Sequence, residues 1–184
     1  MKHMKIANNR CEFEISNTCT FTANAIRRAL LSDIETVAPN TILIKENTSC
    51  QTDEYICHRI GLIPFLQQKE EVNYKEECLT LNVSNRTPKT SDFEGDAFKT
   101  IYETDLIKLI DGQTLNIEVY FNRGTAKEHA RYSPVAAVGY ELQDKKIVFT
   151  FESINGECPS VHLKKALLKL QNRLNHVKVE VEMC

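Results

Sequence analysis

The 184-residue chain reads as an α+β protein, and three observations predict it. Two segments near the ends carry apolar residues at helical spacing. Between them lie several stretches that alternate apolar and polar residues in the manner of half-buried strands. Proline and glycine, at Pro39, at Gly61 with Pro64, and in the Ser- and Asp-rich stretch Arg86 to Ala97, break these stretches apart.

The elements follow in order. Cys11 to Ile15 alternates, with Phe13 and Ile15 set between Glu12 and Glu14, and predicts a short strand. Ser16 to Thr20 supplies candidate caps for a helix from about Thr20 to Asp33. On a helical wheel Ala25, Ala29, Ile26, Leu30 and Ile34 form one apolar stripe, whose alanines leave room for close helix packing. Arg28 points to the other side with Phe21, Asn24 and Leu31, a half-apolar face that a fully solvated helix rarely needs. Pro39 ends the helical pattern, and Thr41 to Ile44 has the β-branched content of a buried strand. A second short helix is marked by Thr52 as cap, Asp53 and Glu54 in its first turn, and Gly61 then Pro64 at its end. From Leu66 to Asp111 the chain is more polar. Cys78 to Val83 predicts a strand there, and Arg86 to Ala97 a loop. Leu115, Ile117, Val119 and Phe121 then share one strand face. Val135 to Ser153 predicts a hairpin turning at Gln143 to Lys145. The last helix, about Pro159 to His176, opens with a proline where the first turn tolerates one. Leu163, Leu167, Leu170, Leu174 and Val177 recur at spacings of four and three, the seam of a helix packed lengthwise on another.

Composition excludes several functions. With 42% apolar residues the chain can build a core, and a net charge of −2 is not the footprint of an autonomous DNA binder. No apolar run approaches the roughly 18 residues that span a bilayer. The charged start, MKHMKIANNR, lacks the apolar stretch of a signal peptide. Seven cysteines, at 11, 19, 50, 57, 78, 158 and 184, are odd in number and form no Cys-x-x-Cys pair. They read as thiols in a reducing, intracellular compartment rather than as a disulfide framework or zinc site. Lys127, Glu128 and His129 could form an acid–base pair, but no nucleophile motif, phosphate loop or paired metal ligands accompany them. The basic loop Arg123, Lys127 and Arg131 could instead track a nucleic acid, weakly, since Glu128 sits among its cations. His58 has no second ligand spaced to join it, so a hydrogen-bonded histidine is the plainer reading.

Two blocks carry more than pattern. Phe21 to Phe65 reads FTANAIRRALLSDIETVAPNTILIKENTSCQTDEYICHRIGLIPF, and Arg123 to Glu141 reads RGTAKEHARYSPVAAVGYE. In this order the two blocks, with TDLIKLIDGQTLNIEVYF and IVFTFES around the second, resemble the assembly subunits of multisubunit DNA-directed RNA polymerases: the third-largest eukaryotic subunit and its archaeal counterpart. The N-terminal domain of the bacterial alpha subunit is a more distant relative. The resemblance runs from about Phe13 to about Leu174.

It implies an alpha-subunit N-terminal-domain-like fold. Residues 1–44 and 122–184 would form a discontinuous αβ dimerisation domain, interrupted by a mostly β insert domain over residues 45–121. The implied function is non-catalytic: pairing with a smaller homologous alpha-like subunit and docking of the second-largest catalytic subunit. Small zinc-binding polymerase subunits are further implied partners, with neither sequence-specific DNA contact nor membrane association. Ile26, Ala29, Leu30, Leu163, Leu167, Leu170 and Leu174 would serve dimerisation. Arg28 matches an arginine that contacts the second-largest subunit. Asn24, Arg27, His58, Arg59, Lys127, Glu128 and His129 belong to the same implied interface. Relatives often hold zinc or an iron–sulfur cluster on clustered insert cysteines. Here the insert offers Cys50, Cys57 and Cys78 alone, so no metal and no cofactor are expected. The chain stops soon after its last helix, as would suit a minimal polymerase such as that of a large DNA virus. Its location would be nucleus, cytoplasm or viral factory according to host.

Overall fold

The computed structural model describes residues 2–69, 71–143 and 146–182. Along the chain run β1 (Lys2–Ala7), β2 (Arg10–Ser16), α1 (Thr20–Ser32), β3 (Glu35–Asn47), α2 (Asp53–Gly61), β4 (Leu66–Gln67) and β5 (Cys78–Ser84). After a 3₁₀ turn at Thr90–Asp92 come β6 (Phe98–Lys99) and β7 (Thr114–Thr125). A second 3₁₀ turn, Ala130–Tyr132, precedes β8 (Val135–Gln143), β9 (Lys146–Ser153) and α3 (Pro159–Glu182). The chain divides into two compact units, one of residues 1–36 and 125–184, the other of residues 37–124. The boundaries fall at 36 and 124, against the expected 44 and 122, and β3 runs through Pro39 as one strand. A proline is tolerated there because β3 is an edge strand, where one missing donor need not break a ladder.

In the discontinuous unit a four-stranded sheet has the order β1-β2-β9-β8, every pairing antiparallel. The β1–β2 hairpin turns on Asn8, which takes a positive φ of 54° that asparagine adopts more readily than most residues. Period-two alternation along β2 and β9 sends Cys11, Phe13, Ile147, Phe149 and Phe151 to one buried face. Phe13 and Phe149 stack with centroids 4.8 Å apart, and Phe151 meets Phe13 edge-on. α1 and α3 pack against each other, α1 against β8 and α3 against β9 and β2. Each fully buried Phe or Leu in this layer contributes about 1.5–3 kcal/mol. Both edge strands are irregular, β1 between Lys2 and Met4 and β8 between Ala136 and Gly139. In the β8 bulge Ala137 holds a left-handed φ of 51°. Of the predicted turn, Gln143 is the last residue of β8, and residues 144 and 145 lie outside the described residues.

The other unit holds a three-stranded sheet, β3-β7-β5, and a short β4–β6 ladder. β7 buries Leu115, Ile117, Val119 and Phe121, as its alternation requires. Phe121 stacks on Phe98 and meets Phe65 edge-on, while Ile56 and Ile60 bring α2 into this core. Gly95 has φ +140°, and a Cβ there would lie 2.7 Å from Leu79 Cδ2, so a side chain at this position would collide with β5. The polar stretch from Leu66 to Asp111 is thus pinned by a few apolar anchors, including Phe98, Leu106 and Leu109, rather than by long elements.

Candidate assembly interface

α1 presents two unlike faces. Ala23, Ile26, Ala29 and Leu30 are buried in their own unit, none more than 4% exposed. On the opposite side Phe21 is 85% exposed, and Asn24, Arg28 and Leu31 follow it along the same stripe. Asn24 Oδ1 accepts a hydrogen bond from Arg27 Nη2 at 2.9 Å, which ties Arg27 down. The guanidinium of Arg28 makes no hydrogen bond or ion pair among the described residues, although its carbonyl accepts from Ser32 Oγ at 2.8 Å.

α1 ends at a residue that sequence reasoning passed over. Asp33 is the C-cap, its backbone N–H donating to the Ala29 carbonyl at 3.0 Å, and its carboxylate is 4% exposed. Lys127 Nζ reaches Oδ1 at 2.7 Å, and Arg173 Nη2, from α3, donates to Oδ2. Ser32 Oγ, whose one proton is shared with the Arg28 carbonyl, lies 3.2 Å from Oδ1 as well. Burial alone would raise the Asp33 pKa, but the Lys127 hydrogen bond and the two cations outweigh it and hold the carboxyl below its ordinary value.

Lys127, Glu128 and His129 occupy the turn that feeds the second 3₁₀ segment. Glu128 Oε1 accepts from Thr125 Oγ1 at 3.1 Å, and His129 Nδ1 accepts from the Arg131 backbone N–H at 3.1 Å and from Arg131 Nε at 3.2 Å. Thr36 Oγ1 donates to the Tyr132 carbonyl at 2.6 Å and fastens the far side of the turn.

α3 begins in a buried polar cluster, and its residues 171–178 are exposed. Ser153 Oγ donates to the Glu157 carbonyl at 2.7 Å, leaving its lone pairs for His162. Asn155 Oδ1 already accepts the Glu157 N–H, so His162 Nε2 carries the proton and donates to Asn155 Oδ1 and Ser153 Oγ at 3.0 and 3.1 Å. Its Nδ1, without a hydrogen-bond partner, lies 3.4 Å from Glu157 Oε2. The spacing is that of a serine–histidine–acid relay, but Ser153 is 2% exposed and its proton is committed to a carbonyl, so no substrate reaches it. Burial pushes the His162 pKa down to about 4, against the pull of Glu157. Farther along α3, Leu163 is buried, Leu167 and Leu170 are half-buried, and Leu174 and Val177 are exposed. The seam therefore continues past the core that begins it. Of the seven residues expected to serve dimerisation, Ile26, Ala29, Leu30 and Leu163 sit inside the chain's own core, and Leu167, Leu170 and Leu174 carry the accessible part.

His58 and Arg59 lie in the other unit, on α2. Thr52 Oγ1 caps this helix by accepting from the Tyr55 N–H, with Asp53 and Glu54 in the first turn and His58 and Arg59 in the last, matching the helix dipole. Arg59 lies over the Tyr55 ring and donates to the Asp105 carbonyl at 3.0 Å. It borders an open groove of about 510 Å³ with Tyr55, Asp105 and Lys108. His58 is exposed. Among the described residues no three His, Cys, Asp or Glu side chains converge as metal ligands would.

Two helices on one face of an antiparallel sheet, in a unit interrupted in sequence by a second unit, make an alpha-subunit N-terminal-domain-like fold. The chain belongs to the family of the RNA polymerase Rpb3/Rpb11 dimerisation domain, whose model matches residues 12–174. It is 32% identical over 168 residues to DNA-directed RNA polymerase subunit Rpo3 of Methanocaldococcus jannaschii, covering 88% of this chain and 85% of that one. It is 28% identical to the RNA polymerase II subunit RPB3 of Schizosaccharomyces pombe, covering 74% of this chain. A conjugation stage-specific protein of Tetrahymena thermophila is 30% identical, over 86% of this chain. The chain spans 57% of the length of the fission-yeast relative and 63% of the Tetrahymena one.

Proposed function

We propose that the chain is a non-catalytic, intracellular assembly subunit of a DNA-directed RNA polymerase. In this reading the discontinuous unit pairs with a smaller homologous subunit, and the unit of residues 37–124 is the insert. The outer face of α1 and the Lys127–His129 turn receive the second-largest subunit, with a contribution from His58 and Arg59. Small zinc-binding polymerase subunits complete the partners, and no metal or cofactor resides in this chain. The observation that carries the proposal is the α3 seam: an apolar stripe that outruns its own core at Leu174 and Val177 calls for a second apolar surface. No helix among the described residues is long and apolar enough to cross a membrane.

The competing reading, a nucleic-acid binder built on the basic 123–131 loop, has less support. Arg123 donates to the Tyr74 hydroxyl at 2.6 Å and to Gln67, Lys127 pairs with Asp33, and Arg131 bonds to His129. Cations already committed inside a protein have little left for phosphates.

The test is affinity purification of the tagged chain with Arg28→Ala as its control variant. Wild type is expected to recover the small homologous partner and both large subunits. Arg28→Ala should keep the small partner, because its side chain lies away from Ile26 and Leu30, and lose the second-largest subunit. Removing a guanidinium from a desolvated contact costs about 2–5 kcal/mol. Wild-type yield of complete polymerase from the variant would reduce Arg28 to a solvated charge.

A further inference from the structure

Asp33 is the one buried carboxylate of the discontinuous unit's described residues, and its two oxygens are divided between distant parts of the chain. Oδ1 holds Lys127, in the turn assigned to the large-subunit contact, and Oδ2 holds Arg173, on the stretch of α3 where the seam leaves the core. Neither cation is itself buried: the side chains of Lys127 and Arg173 are 58% and 53% exposed, whereas Asp33 is 4% exposed. Loss of either cation would leave the carboxylate half-paired in a desolvated site, and the remaining cation would have to shift to compensate.

We propose that Asp33 is a positioning residue that couples the two interfaces, so that seating the small partner on α3 fixes the Lys127–His129 turn in the geometry that the large subunit reads. The proposal rests on the assembly reading above and adds to it one named residue through which the two contacts communicate. Arg173 lies one position before Leu174 and within one turn of Leu170, so a partner covering those leucines also excludes water from the Arg173–Asp33 pair. The lower local dielectric strengthens that ion pair and holds the carboxylate in place for Lys127. An interface contact on α3 is thereby transmitted to the turn through one carboxylate, without movement of the sheet.

The variant that tests this is Arg173→Gln, which keeps a polar, helix-compatible side chain and removes the charge. It is studied as the purified complex with the small partner, with Lys127→Gln and the double variant alongside. Two quantities are read: capture of the second-largest subunit, and amide hydrogen exchange across residues 125–132. If Asp33 couples the interfaces, Arg173→Gln still forms the heterodimer but lowers capture about 5-fold or more, within the usual range of coupling between sites. It also speeds exchange in the turn several-fold. The double variant then captures no worse than Lys127→Gln alone, since both act through one carboxylate. Unchanged capture and exchange in Arg173→Gln would overturn the proposal, as would additive losses in the double variant. A heterodimer lost outright in Arg173→Gln would also overturn it, by making Arg173 a direct partner contact. Failure of the wild-type heterodimer to capture any large subunit would instead sink the assembly reading itself. In that case the exchange measurement alone decides whether Arg173 holds the turn.

Discussion

α1 and α3 carry apolar stripes of similar regularity, yet the fold uses them differently. α1 lays Ala23, Ile26, Ala29 and Leu30 wholly into its own core and turns Phe21 and Arg28 outward. α3 buries Leu163 and Ala166 near its start, half-covers Leu167 and Leu170, and leaves Leu174 and Val177 bare. A stripe at helical spacing states that a surface must be covered; it does not state by whom. The difference comes from length. Helix α1 stops at its cap, Asp33, whereas α3 continues to Glu182, and its residues 171–178 are exposed.

Damaging each stripe in turn puts this contrast at risk most directly. Leu30→Ala empties a fully buried site and should cost the unit about 2–5 kcal/mol in urea unfolding. Leu174→Asp should leave folding within about 0.5 kcal/mol of wild type, as for most surface positions. It should nevertheless weaken the heterodimer about 100-fold or more in a sedimentation titration, because it buries a charge with no partner. If Leu174→Asp paired normally, the bare end of α3 would be an ordinary solvated helix end.

A second experiment compares the two polar clusters that hold α3. His162 is neutral in the fold with a pKa of about 4, against 6.5 for an unperturbed histidine. As pH falls from 6.5 the unfolded chain takes up a proton that the folded one refuses, so stability declines and the loss is complete below about 4. The difference is worth roughly 3 kcal/mol. Asp33 works at lower pH: its depressed pKa gives stability above the ordinary carboxylate range, lost as pH falls through the folded value. His162→Gln should flatten the dependence between pH 6.5 and 4 and leave the more acidic loss in place. An unaltered slope in that interval would mean that another group sets it.

The smallest effect expected is a gain. Ala137 sits exposed in the β8 bulge at φ 51°, a conformation that disfavours any Cβ. Ala137→Gly should raise stability by about 0.5–1 kcal/mol, the released strain exceeding the added freedom of the unfolded chain. A lower melting temperature for this variant would show that the methyl group is needed at the bulge.

Much of this was legible in the sequence, for definite reasons. The helices and β7 declared themselves because period 3.6 and period 2 survive burial on one side, and the blocks around Arg28 and Lys127 carried the family resemblance. β1 did not, because its lysines and six-residue length hide the alternation, although the Asn8–Asn9 pair was a turn signal that could have found it. α3 runs to Glu182 rather than His176 because nothing after His176 breaks a helix. Nor could Asp33 be recognised: it looks like a polar residue ending a helix, and its partner Arg173 is 140 positions away. Burial of a polar side chain is set by what the rest of the chain brings over it, which no local pattern records. The expected interface residues also proved unlike one another, Arg28 being unengaged among the described residues while Lys127, Arg27 and Arg59 are already bonded within the chain.

The crimps at both rims of the four-stranded sheet bear on the time this chain spends alone. Between synthesis and meeting a partner, a protein with a bare leucine seam is at hazard from sticking to copies of itself, and open strand margins are the usual route by which such sticking turns into fibres. β1 is kinked between Lys2 and Met4, and β8 between Ala136 and Gly139. A stray strand approaching either rim meets a row of donors and acceptors interrupted at the irregularity. Each sheet margin is thereby a poorer template for improvised pairing than an unbroken strand would be.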